Sequence, residues 1–170
     1  FDEARQNRRT HVSSPLVLDR FARQTGLPEQ LLRDDRPLSG DEVFEALQRR
    51  IIGQPEACRA AAALVTTFKA GLHDPGRPIG TLLFCGPTGV GKTELAKTLS
   101  RYLFGHGKGD DRLVRLDMSE YSTAWTASRL IAKDDQMPSD FIQRVRAQPF
   151  VVVLLDEIEK ASPDVFDILL

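Results

Sequence analysis

Apolar positions recur along this chain in two rhythms. In the first half they fall at helical spacing. Leu16, Leu18 and Phe21 form a short stripe that Gly26 should stop. Ser39, with Glu42 three residues on, predicts a capping box ahead of Val43, Phe44, Leu47 and Ile51. Gly53 breaks that helix, and Pro55 opens another with Ala57, Ala61, Leu64, Phe68 and Leu72 on one face. From residue 81 short strand-like runs appear: the apolar TLLFC (81–85), then RLVRLD (112–117), and VVVLLDE (151–157), five apolar residues running into two carboxylates. Each predicts a strand. Between them lie a stripe of Leu95, Leu99 and Leu103, a helical stretch over 119–131 and a short helix over 141–148; Ser162-Pro163 caps a last helix over 164–170. Strands without polar alternation, separated by helices, predict a parallel sheet covered on both faces, an α/β fold.

The flanking material changes the picture little. Residues 1–38 are polar, Arg-rich and weakly patterned, and predict a connector; residues 39–170 hold the folded module. Composition excludes several classes. With 23 basic and 24 acidic side chains, the net charge of -1 leaves no footprint for nucleic acid or an anionic membrane. No apolar run reaches the ~20 residues of a membrane-spanning helix, and the polar opening FDEARQNRRT is no signal peptide. Cys58 and Cys85 stand apart without metal-ligand spacing, which predicts two plain core residues in a reducing, cytoplasmic setting. His11, His73 and His106 are expected at the surface, Trp125 in packing, Asp134-Asp135 in a solvated loop, and Arg144 and Arg146 on a solvated helix face.

Chemistry concentrates in GPTGVGKT (86–93), which matches G-x-x-x-x-G-K-[ST]. Glycines at 86, 89 and 91 let successive N–H groups turn inward, and a helix N-terminus adds its dipole, so the loop is built for phosphate. The binding stretch comprises Gly86, Pro87, Thr88, Gly89, Val90, Gly91, Lys92, Thr93 and Glu94. Lys92 should reach the β- and γ-phosphates of ATP, and the Thr93 hydroxyl should ligate Mg²⁺. The plainer alternative is a glycine-rich turn, but an apolar run before and an amphipathic stripe after are the context a phosphate loop requires. Asp156, closing the last apolar run, should stand beside the metal, and Glu157 could polarise a water for attack on the γ-phosphate. Two solvated acids at a helix start are the alternative reading of that pair. The Asp-Glu doublet favours hydrolysis; a P-loop kinase or transferase is a third class.

Longer strings carry a resemblance. TGLP (25–28), IIGQPEA (51–57), DPGRPIGTLLFCGPTGVGKTELAKTL (74–99), VRLDMSEYS (114–122), SRLI (128–131) and VVVLLDEIEKASPDVFDILL (151–170) resemble the second AAA+ nucleotide-binding module of Clp-type unfoldases. The ClpB-like disaggregases are nearest in kind, with ClpA and ClpC relatives close. The resemblance covers about residues 20–170 and implies a P-loop NTPase sheet flanked by helices. It implies adenine contacts at Ile51, Ile52 and Gly53, Mg-ATP held by Lys92, Thr93 and Asp156, and Glu157 as catalytic base. It further implies hexameric rings, misfolded or aggregated protein clients, and a possible co-chaperone or protease partner.

Two departures qualify it. Where the family carries a glycine-rich pore loop with an aromatic, this chain reads AKDDQMPSD. It also stops at DILL, where the family continues into further strands, an arginine finger and a helical lid. A fragment that lacks both a mobile loop and the remainder of the module explains both, and it should then turn over little ATP alone. The alternative is an ATP-binding assembly or scaffold module that threads nothing.

Overall fold

The computed structural model describes residues 13–27, 29–33, 37–72, 77–133, 137–148 and 150–169. The readings of His11, His73, Asp134, Asp135 and Leu170 lie outside the described residues. The chain forms two compact units, Phe1–Phe84 and Cys85–Leu170, each taken by itself below.

The described part of the first unit is helical: α1 (Ser14–Thr25), α2 (Glu29–Leu32), α3 (Gly40–Gln48) and α4 (Pro55–Lys69). Helix α1 ends where expected. Gly26 takes φ 75° there, and its N–H closes on the Ala22 carbonyl. Ser39 caps α3 differently from the expected box: its hydroxyl accepts the Asp41 N–H at 3.2 Å, with no return bond from Glu42 among the described residues. Pro55 opens α4. Helices α3 and α4 pack together, burying Val43 and Leu47 from one and Cys58, Ala61, Ala62 and Val65 from the other. Burial pushes the Cys58 thiol pKa up and keeps it neutral.

The second unit runs α5 (Lys92–Phe104), α6 (Lys108–Asp111), β1 (Leu113–Asp117), α7 (Ala124–Ser128), α8 (Asp140–Ala147), β2 (Val152–Asp156) and α9 (Pro163–Leu169). Strands β1 and β2 pair in parallel, with Leu113 opposite Val152 and Asp117 opposite Asp156. Parallel pairing requires a crossover, and α7 and α8 lie within it. Helix α5 packs on both strands, burying Leu95, Ala96 and Leu99. A second cluster joins Met118, Ala127, Leu130 and Val165, with Leu116, Phe141, Leu155 and Ile158 around it. Ile168 also packs here, while Phe166 and Leu169 are exposed.

Four expectations are corrected. Residues 81–85 are not a strand: they form no ladder, and Leu83 and Cys85 are exposed. An apolar run becomes a strand only where another offers its backbone groups, and β1 and β2 use each other. Cys85 is therefore no core residue. The helix expected over 119–131 splits into a 3₁₀ turn, Met118–Tyr121, and the short α7, divided by a Thr123–Thr126 capping box. Trp125 on α7 is 81% exposed and packs no core.

The turn from α5 into α6 depends on one residue without a side chain. The Ser100 hydroxyl donates to the Gly109 carbonyl at 2.6 Å, and a Cβ at Gly109 would sit 2.6 Å from Arg101 Cα and 2.8 Å from Arg101 N. Backbone cannot give way as a flexible side chain can. Gly109→Ala is expected to lower unfolding stability by about 1–3 kcal/mol, read as a lower urea midpoint at unchanged slope.

Candidate functional site

Strand β1 ends in Asp117 and β2 in Asp156, so the ladder places two carboxylates side by side at the carboxyl edge of the sheet. That edge is where open α/β sheets bind ligands. Helix α5 begins beside it. Gly91 is its N-cap at φ 98°, and Gly89 lies at φ 85°. Neither angle suits a residue with a Cβ, and this local geometry lets the loop turn into the helix.

The loop closes around its own lysine. The Lys92 ammonium donates to the Gly86 and Pro87 carbonyls at 2.7 and 2.8 Å. Next to it, the Thr93 hydroxyl donates to Asp156 Oδ2 at 3.5 Å, joining residues 63 positions apart. Gly86, Pro87, Thr88 and Gly89 are exposed, while Val90, Gly91, Lys92 and Thr93 are half-buried; Glu94 is exposed and lies 3.8 Å from the Arg101 guanidinium. The expected phosphate and metal residues thus converge within one unit.

Thr93 and Asp156 together offer a hydroxyl and a carboxylate oxygen, the hard donors a magnesium ion takes. The loop offers N–H groups and an ammonium, the donors a phosphate takes. The donor set fits a magnesium–nucleotide pair.

Glu157 is the single non-glycine residue with positive φ among the described residues, at 55°. That conformation costs about 1 kcal/mol or more and is typical of functional positions. Its Oε2 accepts the Lys160 ammonium at 2.6 Å, and this bond raises the Lys160 pKa. The Glu157 carboxylate is therefore held beside the carboxyl edge of the sheet. Asp117 is tied down locally: the Ser119 hydroxyl and N–H both donate to its Oδ1, lowering its pKa.

The sequence reading overlooked two residues here. Arg115 reaches across from β1 to Asp156 Oδ2 at 2.8 Å, and Lys160 holds Glu157. Signals existed for both. Arg115 is a charge within an apolar strand, on the same face as Asp117 two residues on. Lys160 stands one helical turn after Glu157.

The residues expected at adenine belong to the first unit. Ile51 is buried in its core, Ile52 is 90% exposed and Gly53 has φ 78°.

Described residues on the two sides of 134–136 are tied together between α7 and α8. Ala132 and Pro138 form an antiparallel bridge, and Lys133 N–H donates to the Met137 carbonyl. Ser139 N–H donates to the Ile131 carbonyl, and the Ser139 hydroxyl donates to the Leu130 carbonyl at 2.5 Å while capping α8 through Ile142 N–H. A cleft of about 250 Å³ lies alongside, between β1, α7 and α8, with Tyr121, Arg129 and Arg144 in its wall. Arg144 and Arg146 are exposed, as expected of a solvated helix face, and so is His106.

The family model described as AAA domain (Cdc48 subfamily) matches residues 77–170. The chain belongs to this AAA family. It is 48% identical, over 161 residues, to the "Probable chaperone protein ClpB 1" of Chlorobaculum tepidum, covering 91% of this chain and 36% of that protein. It is 49% identical over 156 residues to the "Chaperone protein ClpD1, chloroplastic" of Oryza sativa subsp. japonica, covering 86% and 16%. A closed-state cryo-EM reconstruction of Hsp104 with ATPγS and FITC-casein superposes with a TM-score of 0.76 at 31% identity, covering 96% of this chain and 28% of that one. The chain thus spans about a third or less of the length of these relatives. Among its described residues no helix is long and apolar enough to cross a membrane.

Proposed function

We propose that this chain is an ATP-binding and ATP-hydrolysing module of a Clp-type protein unfoldase or disaggregase. The observation that carries the reading is the approach of Thr93 to Asp156, which brings the two sequence motifs to one point. The loop N–H groups and Lys92 bind and orient the phosphates. Thr93 and Asp156 hold Mg²⁺, which supplies charge neutralisation on the phosphate oxygens. Glu157, anchored by Lys160 through one oxygen, presents the other to a water and accepts its proton. Clp-type relatives suggest a ring of such modules, hexameric, acting on misfolded or aggregated proteins with a co-chaperone or protease partner, in the cytoplasm. The ATPγS and casein of the Hsp104 reconstruction support a nucleotide and a protein client as the ligand classes.

Neighbouring copies in a ring complete one another's sites, so ATP turnover per chain is expected to rise with protein concentration. Steady-state hydrolysis over a dilution series, beside light scattering for assembly, checks this. Turnover per chain that stays constant while assembly grows counts against the motor. One observation favours a second reading: Ala132 and Pro138 bridge to each other between α7 and α8, and the sequence AKDDQMPSD there contains no aromatic side chain. A module that binds ATP tightly, assembles, and neither hydrolyses nor threads would be a scaffold.

A further inference from the structure

Asp156 carries an oxygen shared between two elements. Its Oδ2 accepts the Thr93 hydroxyl from α5 and, at 2.8 Å, the Arg115 guanidinium from β1. The ladder explains the second contact. Arg115 is registered opposite Leu154, so Asp156 lies two residues further along β2 on the same face, within diagonal reach of a long side chain. The Asp156 side chain is only 18% exposed and that of Arg115 is 55% exposed. A partly buried carboxylate is thereby neutralised by a cation that can swing into solvent at small cost.

A divalent ion held by Thr93 and Asp156 would draw on the same carboxylate. An oxygen engaged at 2.8 Å by a guanidinium cannot give its full field to a metal, and two cations on one carboxylate repel each other. We propose that Arg115 is a resident counter-ion of Asp156 which a divalent cation must displace, so that Arg115 sets how much metal the nucleotide site requires. Two states follow. In one, Arg115 and Asp156 close the end of the ladder. In the other, the metal takes Oδ2 and the guanidinium turns outward. Arg115 is a positioning residue, acting through Asp156 and touching neither nucleotide nor metal. This deepens the magnesium–nucleotide reading above and rests on it.

The test is the affinity of Mn²⁺, as a paramagnetic probe, for the ADP-loaded protein, measured by loss of the free-ion electron paramagnetic resonance signal. Arg115→Gln is expected to tighten Mn²⁺ binding about fivefold or more, since it removes a competing charge beside a doubly charged ion. Arg115→Lys keeps the charge but loses the planar fork, so its gain should be smaller. Without nucleotide, Arg115→Gln should melt at a lower temperature than the native protein and show a larger rise when Mn-ADP is added. Affinity equal to or weaker than native in Arg115→Gln overturns the competition. Asp156→Asn separates this from the underlying reading. If it binds Mn²⁺ as well as the native protein does, the metal site itself is misassigned. If it loses the ion while Arg115→Gln gains nothing, only the counter-ion role fails. A measurement without substitution is the ¹⁵N signal of the Arg115 guanidinium, slow to exchange when paired and expected to broaden when Mg-ADP is added. A signal indifferent to the metal also overturns the proposal.

Discussion

Glu157→Gln is expected to lower ATP hydrolysis by about 10²–10⁴-fold while leaving ATP binding nearly intact. Glutamine has the shape of glutamate and one of its oxygens, so it can still accept from Lys160, whose ammonium sits 2.6 Å from Oε2 in the native protein. The amide cannot take a proton from water at neutral pH. The substitution therefore removes basicity and little else. Binding should survive because the loop, Lys92 and Thr93 lie on α5 and the turn before it, apart from residue 157. Single-turnover hydrolysis and equilibrium binding of a fluorescent ATP analogue separate the two quantities. Native hydrolysis in the variant would transfer the role of base elsewhere. Equal loss of binding and hydrolysis would mean that Glu157 holds the site together. The positive φ of Glu157 gives a further check, since Glu157→Gly should relieve strain, raising thermal stability slightly while abolishing turnover.

The second large effect concerns Lys92. Lys92→Ala is expected to weaken nucleotide binding by about 10- to 10²-fold, the equivalent of one charge-assisted hydrogen-bonding partner worth about 1.5–3 kcal/mol. The lysine has two tasks here. It ties the Gly86 and Pro87 carbonyls into the curl of the loop, and it brings a positive charge to the phosphates. Lys92→Arg distinguishes them, because a planar fork keeps the charge but cannot place it as a compact ammonium does. Restoration of most of the affinity by arginine would make charge the dominant contribution; failure to restore it would make fit to the loop dominant. Calorimetric titration with ADP measures both. Thermal stability without nucleotide should barely change, since the bonds Lys92 makes are local and solvent-exposed. Normal ADP affinity in Lys92→Ala would remove the phosphate reading of the loop altogether.

Much of this could be read along the chain because it depends on near neighbours. The loop 86–93 needs glycines at fixed offsets and a helix directly after it, and both are local properties. The stop of α1 at Gly26 and the opening of α4 at Pro55 are local too. Strands β1 and β2 were legible because each is a short, mostly apolar run ending in aspartate. Residues 81–85 show the same composition and form no strand, because pairing is a property of two segments and a run of Leu and Phe cannot show whether its partner is at hand. Cys85 follows the same logic: the lack of metal-ligand spacing predicted a core residue, and only a sheet around it would have supplied the burial.

The glycine loop 86–93, the acidic pair at 156 and 157 and the parallel α/β plan were thus legible in the sequence alone, through spacing and periodicity. Tertiary structure alone decided that Thr93 meets Asp156 across 63 residues, that Arg115 contacts the same Asp156 oxygen, and that Lys160 anchors Glu157 in a left-handed turn. The reason is the register of the ladder. One residue of slip would have turned Arg115 to the opposite face and left Asp156 without its counter-ion.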